Sequence, residues 1–129
     1  MRRQSGFTLI ELLIVITLIM ILAGIAMVQY RTSVTAAEEA VLMTDLLRMR
    51  DAIDQYYADK GKYPASLDTL VSERYLRDIP VDPTTKLRDT WVTEPATPDP
   101  SNPSGLPGIY NVRSGSDRTA LNGTRYSSW

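Results

Sequence analysis

The sequence predicts an α+β fold: a long N-terminal α-helix, transmembrane in its first half, packed against a small head with a short second helix and a small antiparallel β-sheet. Three observations predict it. From Phe7 to Val28 nearly every residue is apolar, the exceptions being Thr8, Glu11, Thr17 and the small Gly24. A helix-favouring polar run then continues to about Lys60 with apolar residues on one side. All eight prolines lie at or beyond Pro64, so the front of the chain is free of helix breakers and the back is rich in them.

Residues 7–28 number 22. As a helix they rise about 33 Å, roughly the hydrocarbon thickness of a bilayer. Arg2 and Arg3 precede them on a six-residue leader, and the positive-inside rule keeps those arginines cytoplasmic while the rest is exported. Three segments follow from this: a leader at 1–6, a transmembrane helix at 7–30, and an exported head at 31–129 that includes the second half of the long helix.

Composition excludes several functions. The chain of 129 residues holds no cysteine and no histidine. Thiol catalysis, disulfides, Cys-ligated metal and a Ser-His-Asp triad are therefore absent. A net charge of −1 gives no drive toward nucleic acid. No phosphate-cradling glycine motif occurs. The expectation is a protein that is not an enzyme.

Glu11 stands out inside the apolar run. A carboxylate near the centre of a membrane helix costs about 2–3 kcal/mol, less toward an end, so such a charge needs a partner or a route to the head groups. The helix N-terminus favours a nearby anion. The other candidate partner is the amino group that appears on Phe7 if the chain is cut after Gly6.

Gly6-Phe7-Thr8-Leu9-Ile10-Glu11 reads GFTLIE behind a basic leader. It resembles the prepilin peptidase site of type IV pilins and type II secretion pseudopilins. The resemblance implies cleavage between Gly6 and Phe7, N-methylation of Phe7, and Glu11 of an incoming subunit meeting the Phe7 amine of a neighbour. It implies a homo-oligomeric filament, with prepilin peptidase, minor pseudopilins and an inner-membrane assembly platform as partners. It also implies a bacterial inner-membrane protein with a periplasmic head. One departure is that the proline many relatives carry about 22 residues into the mature chain is Val28 here, so a more continuous helix is expected.

Beyond Tyr30, the residues Leu42, Leu46, Met49, Ile53 and Tyr56 recur at helical spacing and mark the face that packs the head. Lys60 and Gly61 supply a last-turn cation and a C-terminal glycine. Gly61-Lys62-Tyr63-Pro64 resembles an element of the major, G-type pseudopilins. Pro64 then opens a short helix with an apolar face of Leu67, Leu70, Val71, Tyr75 and Leu76. Lys86–Thr93 reads as one strand and Ile109–Arg113 as another, separated by a loop at 93–108 with five prolines.

The segment 114–129 is turn-rich. It resembles the calcium-binding loop of major pseudopilins, which implies calcium on Asp117 with help from Ser114 and Leu121. The further acids that this loop usually carries before its tryptophan are replaced here by Asn122-Gly123-Thr124-Arg125-Tyr126-Ser127-Ser128. The function implied is a structural subunit of a type II secretion-like pseudopilus that drives protein export. The alternatives are a type IV pilus subunit, or a membrane-anchored periplasmic binding module.

Overall fold

The computed structural model describes residues 6–129, so Arg2 and Arg3 of the leader lie outside the described residues. The chain divides into two compact units, Met1–Thr35 and Ala36–Trp129. Helix α1 runs Leu9–Lys60, followed by α2 at Leu67–Ser72, strands β1 at Val92–Pro95 and β2 at Ile109–Arg113, and a 3₁₀ turn at Tyr126–Ser128. The α+β class is as the sequence implies.

The first unit is helix and little else. Its apolar side chains are exposed from Leu9 to Val28. The most apolar window of α1 has a mean hydropathy of 2.8 and no buried residue, which by length and composition suits a membrane span. Helix persists through Val28, where no proline interrupts it. Thr17, Thr32 and Thr35 each donate their hydroxyl to the carbonyl four residues earlier, which satisfies their polar groups without another element.

The head unit is built on the expected stripe. Leu42, Leu46, Met49, Ile53 and Tyr56 are buried on α1 and join Leu67, Leu70, Trp91, Ile109, Val112, Ala120 and Tyr126 in one core. Arg48, Asp51, Gln55 and Asp59 are exposed on the remaining surface of the helix. Gly61 ends α1 at φ 69°, the left-handed turn that a glycine takes without strain.

Two elements differ from expectation. Helix α2 is capped by Ser66, whose hydroxyl accepts from the Thr69 amide, and it ends at Ser72. Arg74 turns to φ 65°, and the amides of Tyr75 and Leu76 fold back onto the Leu70 carbonyl. Tyr75 and Leu76 therefore reach the core from a turn and not from a helix face. Tyr75 meets Tyr56 edge-on, with ring centroids 5.3 Å apart.

The predicted strand at 86–93 is also corrected. Lys86 lies at φ 62°, in a turn where its amide donates to the Asp82 carbonyl over 2.7 Å. Pairing begins only at Val92. The antiparallel register sets Val92 against Arg113, Thr93 against Val112 and Glu94 against Asn111, and it slips before Pro95. A proline at a strand end removes a ladder donor, which fits that slip.

Gly108 is required by close approach: a Cβ there would stand 2.5 Å from the Tyr63 carbonyl oxygen. The adjacent Ile109 amide donates to the Pro64 carbonyl over 2.8 Å, so the Gly-Lys-Tyr-Pro element anchors β2.

Leu46 is fully buried in this core. Truncation to Ala is expected to cost about 2–5 kcal/mol, transfer and cavity terms together. Urea unfolding of the detergent-solubilised chain, read by the fluorescence of Trp91 and Trp129, measures it.

Candidate functional site

The candidate processing and assembly site is the start of the first unit. Gly6, Phe7 and Thr8 precede α1 in irregular backbone, and all three are exposed. The peptide between Gly6 and Phe7 is thus outside the helix, where a peptidase can take hold of extended chain. Phe7 is 86% exposed, with no core of its own unit to enter.

Thr8 begins the helix in a defined way. Its hydroxyl accepts from the Glu11 amide over 3.2 Å, and its carbonyl accepts from the Leu12 amide over 3.2 Å. This is the N-cap contact that satisfies one of the free donors at a helix start. It sets Glu11 in the first turn, where the helix dipole favours an anion. The Glu11 side chain is exposed. In the uncut chain the nitrogen of Phe7 is a neutral amide and offers Glu11 no charge.

Ser114 and Leu121, expected to help Asp117 through their carbonyls, have their hydroxyl and amide engaged elsewhere. Ser114 is fully buried and donates its hydroxyl to Asp82 Oδ2 over 2.5 Å. The Leu121 amide donates to Glu39 Oε1 over 2.8 Å. Asp117 is exposed. Among the described residues no three aspartate or glutamate side chains gather. Calcium takes six to eight oxygens, with carboxylates supplying the charge. One exposed carboxylate beside Arg118 does not fit that requirement.

A set of charged residues that local sequence patterns do not reveal sits in the head instead. Asp82 is fully buried. Its Oδ1 accepts from the Thr84 amide at 2.8 Å and the Thr84 hydroxyl at 2.5 Å, while Oδ2 holds Ser114. Glu39 Oε1 accepts from both the Leu121 amide and the Tyr126 hydroxyl, each over 2.8 Å. Arg50 donates to Asn111 Oδ1 at 2.9 Å, the Val112 carbonyl at 3.0 Å and the Trp129 carbonyl at 2.6 Å.

Burial and these partners move several pKa values. Burial, followed by the hydrogen bond to Glu39, pushes the Tyr126 hydroxyl up to about 12. Burial lowers Arg50, with Arg113 nearby adding repulsion. Asp45, on the buried side of α1, is raised chiefly by burial; Arg48 opposes this and Asp82 adds to it.

Residues 1–27 match the family model described as "Prokaryotic N-terminal methylation motif". Type II secretion system core protein G of Aeromonas hydrophila is 31% identical to the chain, over 64% of this chain and 68% of the relative. The protein of the same description from Pseudomonas aeruginosa is 33% identical, over 64% of this chain and 69% of the relative. A type IV major pilin protein PilE1 of Neisseria gonorrhoeae is 34% identical, over 61% of this chain and 48% of the pilin. No solved structure matches the chain.

The raised Asp45 carboxyl gives a pH prediction. A carboxyl that holds its proton more tightly when folded favours folding below the usual carboxylate range, and that stability is lost as pH rises through the raised native value. Asp45→Asn is therefore expected to raise the thermal midpoint at pH 7 by about 1–3 °C. The gain should vanish below about pH 3, where Asp45 is protonated in both states. Paired thermal melts across that range check the sign.

Proposed function

The chain belongs to the family of the type II secretion system core protein G, and from that membership we propose that it is processed after Gly6 and polymerised through its N-terminal helix. It is a structural subunit of a pseudopilus that drives protein export. The observation that carries this is the bare apolar helix whose first turn holds Glu11 immediately after an exposed Gly6-Phe7 peptide.

The steps follow from the chemistry of those residues. Prepilin peptidase cuts the Gly6-Phe7 peptide on the cytoplasmic side. The new Phe7 nitrogen is a cation, and methylation leaves it one. Residues 7–30 hold the subunit in the inner membrane, and 31–129 face the periplasm. The exposed leucines and isoleucines then exchange lipid for the helices of other copies. In the low dielectric of that bundle, the carboxylate of an incoming Glu11 is stabilised by a neighbour's Phe7 amine. Minor pseudopilins and an inner-membrane platform would start and drive the growth.

Glu11→Gln keeps the shape and removes the charge. A hydrogen bond to a charged group contributes about 1.5–3 kcal/mol. Its loss is therefore expected to weaken each subunit addition roughly 10–100-fold. Leader removal should be unaffected, and intact mass should still place a methylated Phe7 at the mature N-terminus. Normal filament yield from Glu11→Gln would remove the pairing from the account. Fibres sheared from the cell surface, instead of protein retained with the envelope, would favour the pilus function of the pilin relatives.

A further inference from the structure

The turn-rich segment 114–129 has no regular sheet of its own beyond a bridge between Thr119 and Arg125. Something else must hold it, and a bound cation does not fit the side chains present. We propose that Glu39, Arg50 and Asp82 fasten this segment, and that no divalent cation takes part in folding it.

The contacts are spread along the segment. Asp82 takes Ser114 at its start, Glu39 takes Leu121 and Tyr126 in the middle, and Arg50 takes the Trp129 carbonyl. Each contact joins a charged group to a polar one, the stronger class of hydrogen bond. The Asp82 contact is buried, and Glu39 and Arg50 are half-buried, so water competes little with them.

The Asp82 contact is also part of a closed circuit. The Ser116 amide donates to Ser114 Oγ at 3.2 Å, and the Arg118 amide donates to Ser116 Oγ at 3.4 Å. The Arg118 guanidinium returns to the Thr84 carbonyl at 3.4 Å, while Thr84 itself donates to Asp82. In this circuit hydroxyl and amide protons already take up the carboxylate oxygens of Asp82. Both oxygens of Asp82 are occupied, and both donors to Glu39 come from the segment being held. The only side-chain carboxylate within 114–129 is the exposed Asp117, and the same segment carries two arginines, Arg118 and Arg125. A cation there would find a single side-chain carboxylate, against the several that usually supply the charge of a calcium site.

The experiment uses the full chain in detergent, melted in excess EDTA and in millimolar calcium chloride, with amide hydrogen exchange followed over 114–129. The two midpoints are expected to agree within about 1 °C, and exchange to be equal in both buffers. Asp117→Asn should leave midpoint and exchange unchanged. Glu39→Ala should lower the midpoint by about 4–8 °C and speed exchange of Leu121 and Tyr126 at least tenfold. Asp82→Ala should do the same around Ser114–Ser116. A saturable rise with calcium beyond that margin would overturn the proposal, because a cation that binds only the folded chain must raise the midpoint. Unchanged exchange in Glu39→Ala would overturn it as well. The comparison of buffers on the unaltered chain decides even if Asp82→Ala does not fold. All these readouts concern the monomer, so they stand apart from whether Glu11 drives assembly.

Discussion

The burial of one helical stripe, Leu42 to Tyr56, is the constraint on which the head depends. A two-stranded sheet and a six-residue helix cannot make a core by themselves. Each has to lay its apolar side chains on α1. Val112 and Ile109 come from β2, Leu67 and Leu70 from α2, and Trp91 from the turn before β1, all against the same face. Trp91 can be buried there because its indole N–H donates to the Pro80 carbonyl over 2.8 Å. The helix thus substitutes for the second layer that a small α+β domain otherwise builds from its own elements.

That arrangement explains where the charged anchors sit. Glu39 and Arg50 flank the buried stripe on α1, so each can cover its polar end against water while reaching over the core to the far part of the chain. Arg50 touches Asn111 and Val112 of β2 as well as Trp129. It therefore ties the strand and the final turn to the helix through a single guanidinium, whose planar fork suits several acceptors at once. Asp82 plays the corresponding part on the other side, organising its own turn through Thr84 and the distant Ser114. Surface ion pairs add little to this. Lys86–Glu38 and Arg88–Asp78 have exposed members and belong to the weak class.

Much of the fold was legible in the sequence because its signals are local. The apolar run, the stripe at spacings of three and four, and the Lys60-Gly61 terminus each report on neighbours within a turn or two of helix. So does the alternation in Ile109–Arg113. The misplacements arose where a single backbone angle overrode a good pattern. Tyr75 and Leu76 continue the apolar periodicity of α2, yet the positive φ of Arg74 has already ended it. Lys86–Trp91 has strand-like composition, yet it turns around Asp82. The anchors were not legible because each joins residues 32 to 87 positions apart, and nothing near Glu39, Arg50 or Asp82 marks them as different from other charged residues. Glu11 stood out for the opposite reason: a carboxylate in an apolar run is conspicuous by its cost alone.

The two halves of α1 face one problem solved with different partners. A carboxylate away from bulk water needs a positive group or several donors. In the head, Glu39 and Asp82 find donors within the same chain, and the result is a fastened segment. At Glu11 the described residues supply the carboxylate with the helix start alone, since the Thr8 hydroxyl there caps the backbone amide. Under the proposed processing, a cut after Gly6 would create a cation to match Glu11 on every subunit. Each mature chain would then carry a cation at Phe7 and an anion one helical turn later. Two such pairs would be complementary along a shared axis, so every added subunit would meet a charge from its neighbour and offer its own to the next. This is the head-to-tail, non-closing type of contact that generates a filament and not a closed ring.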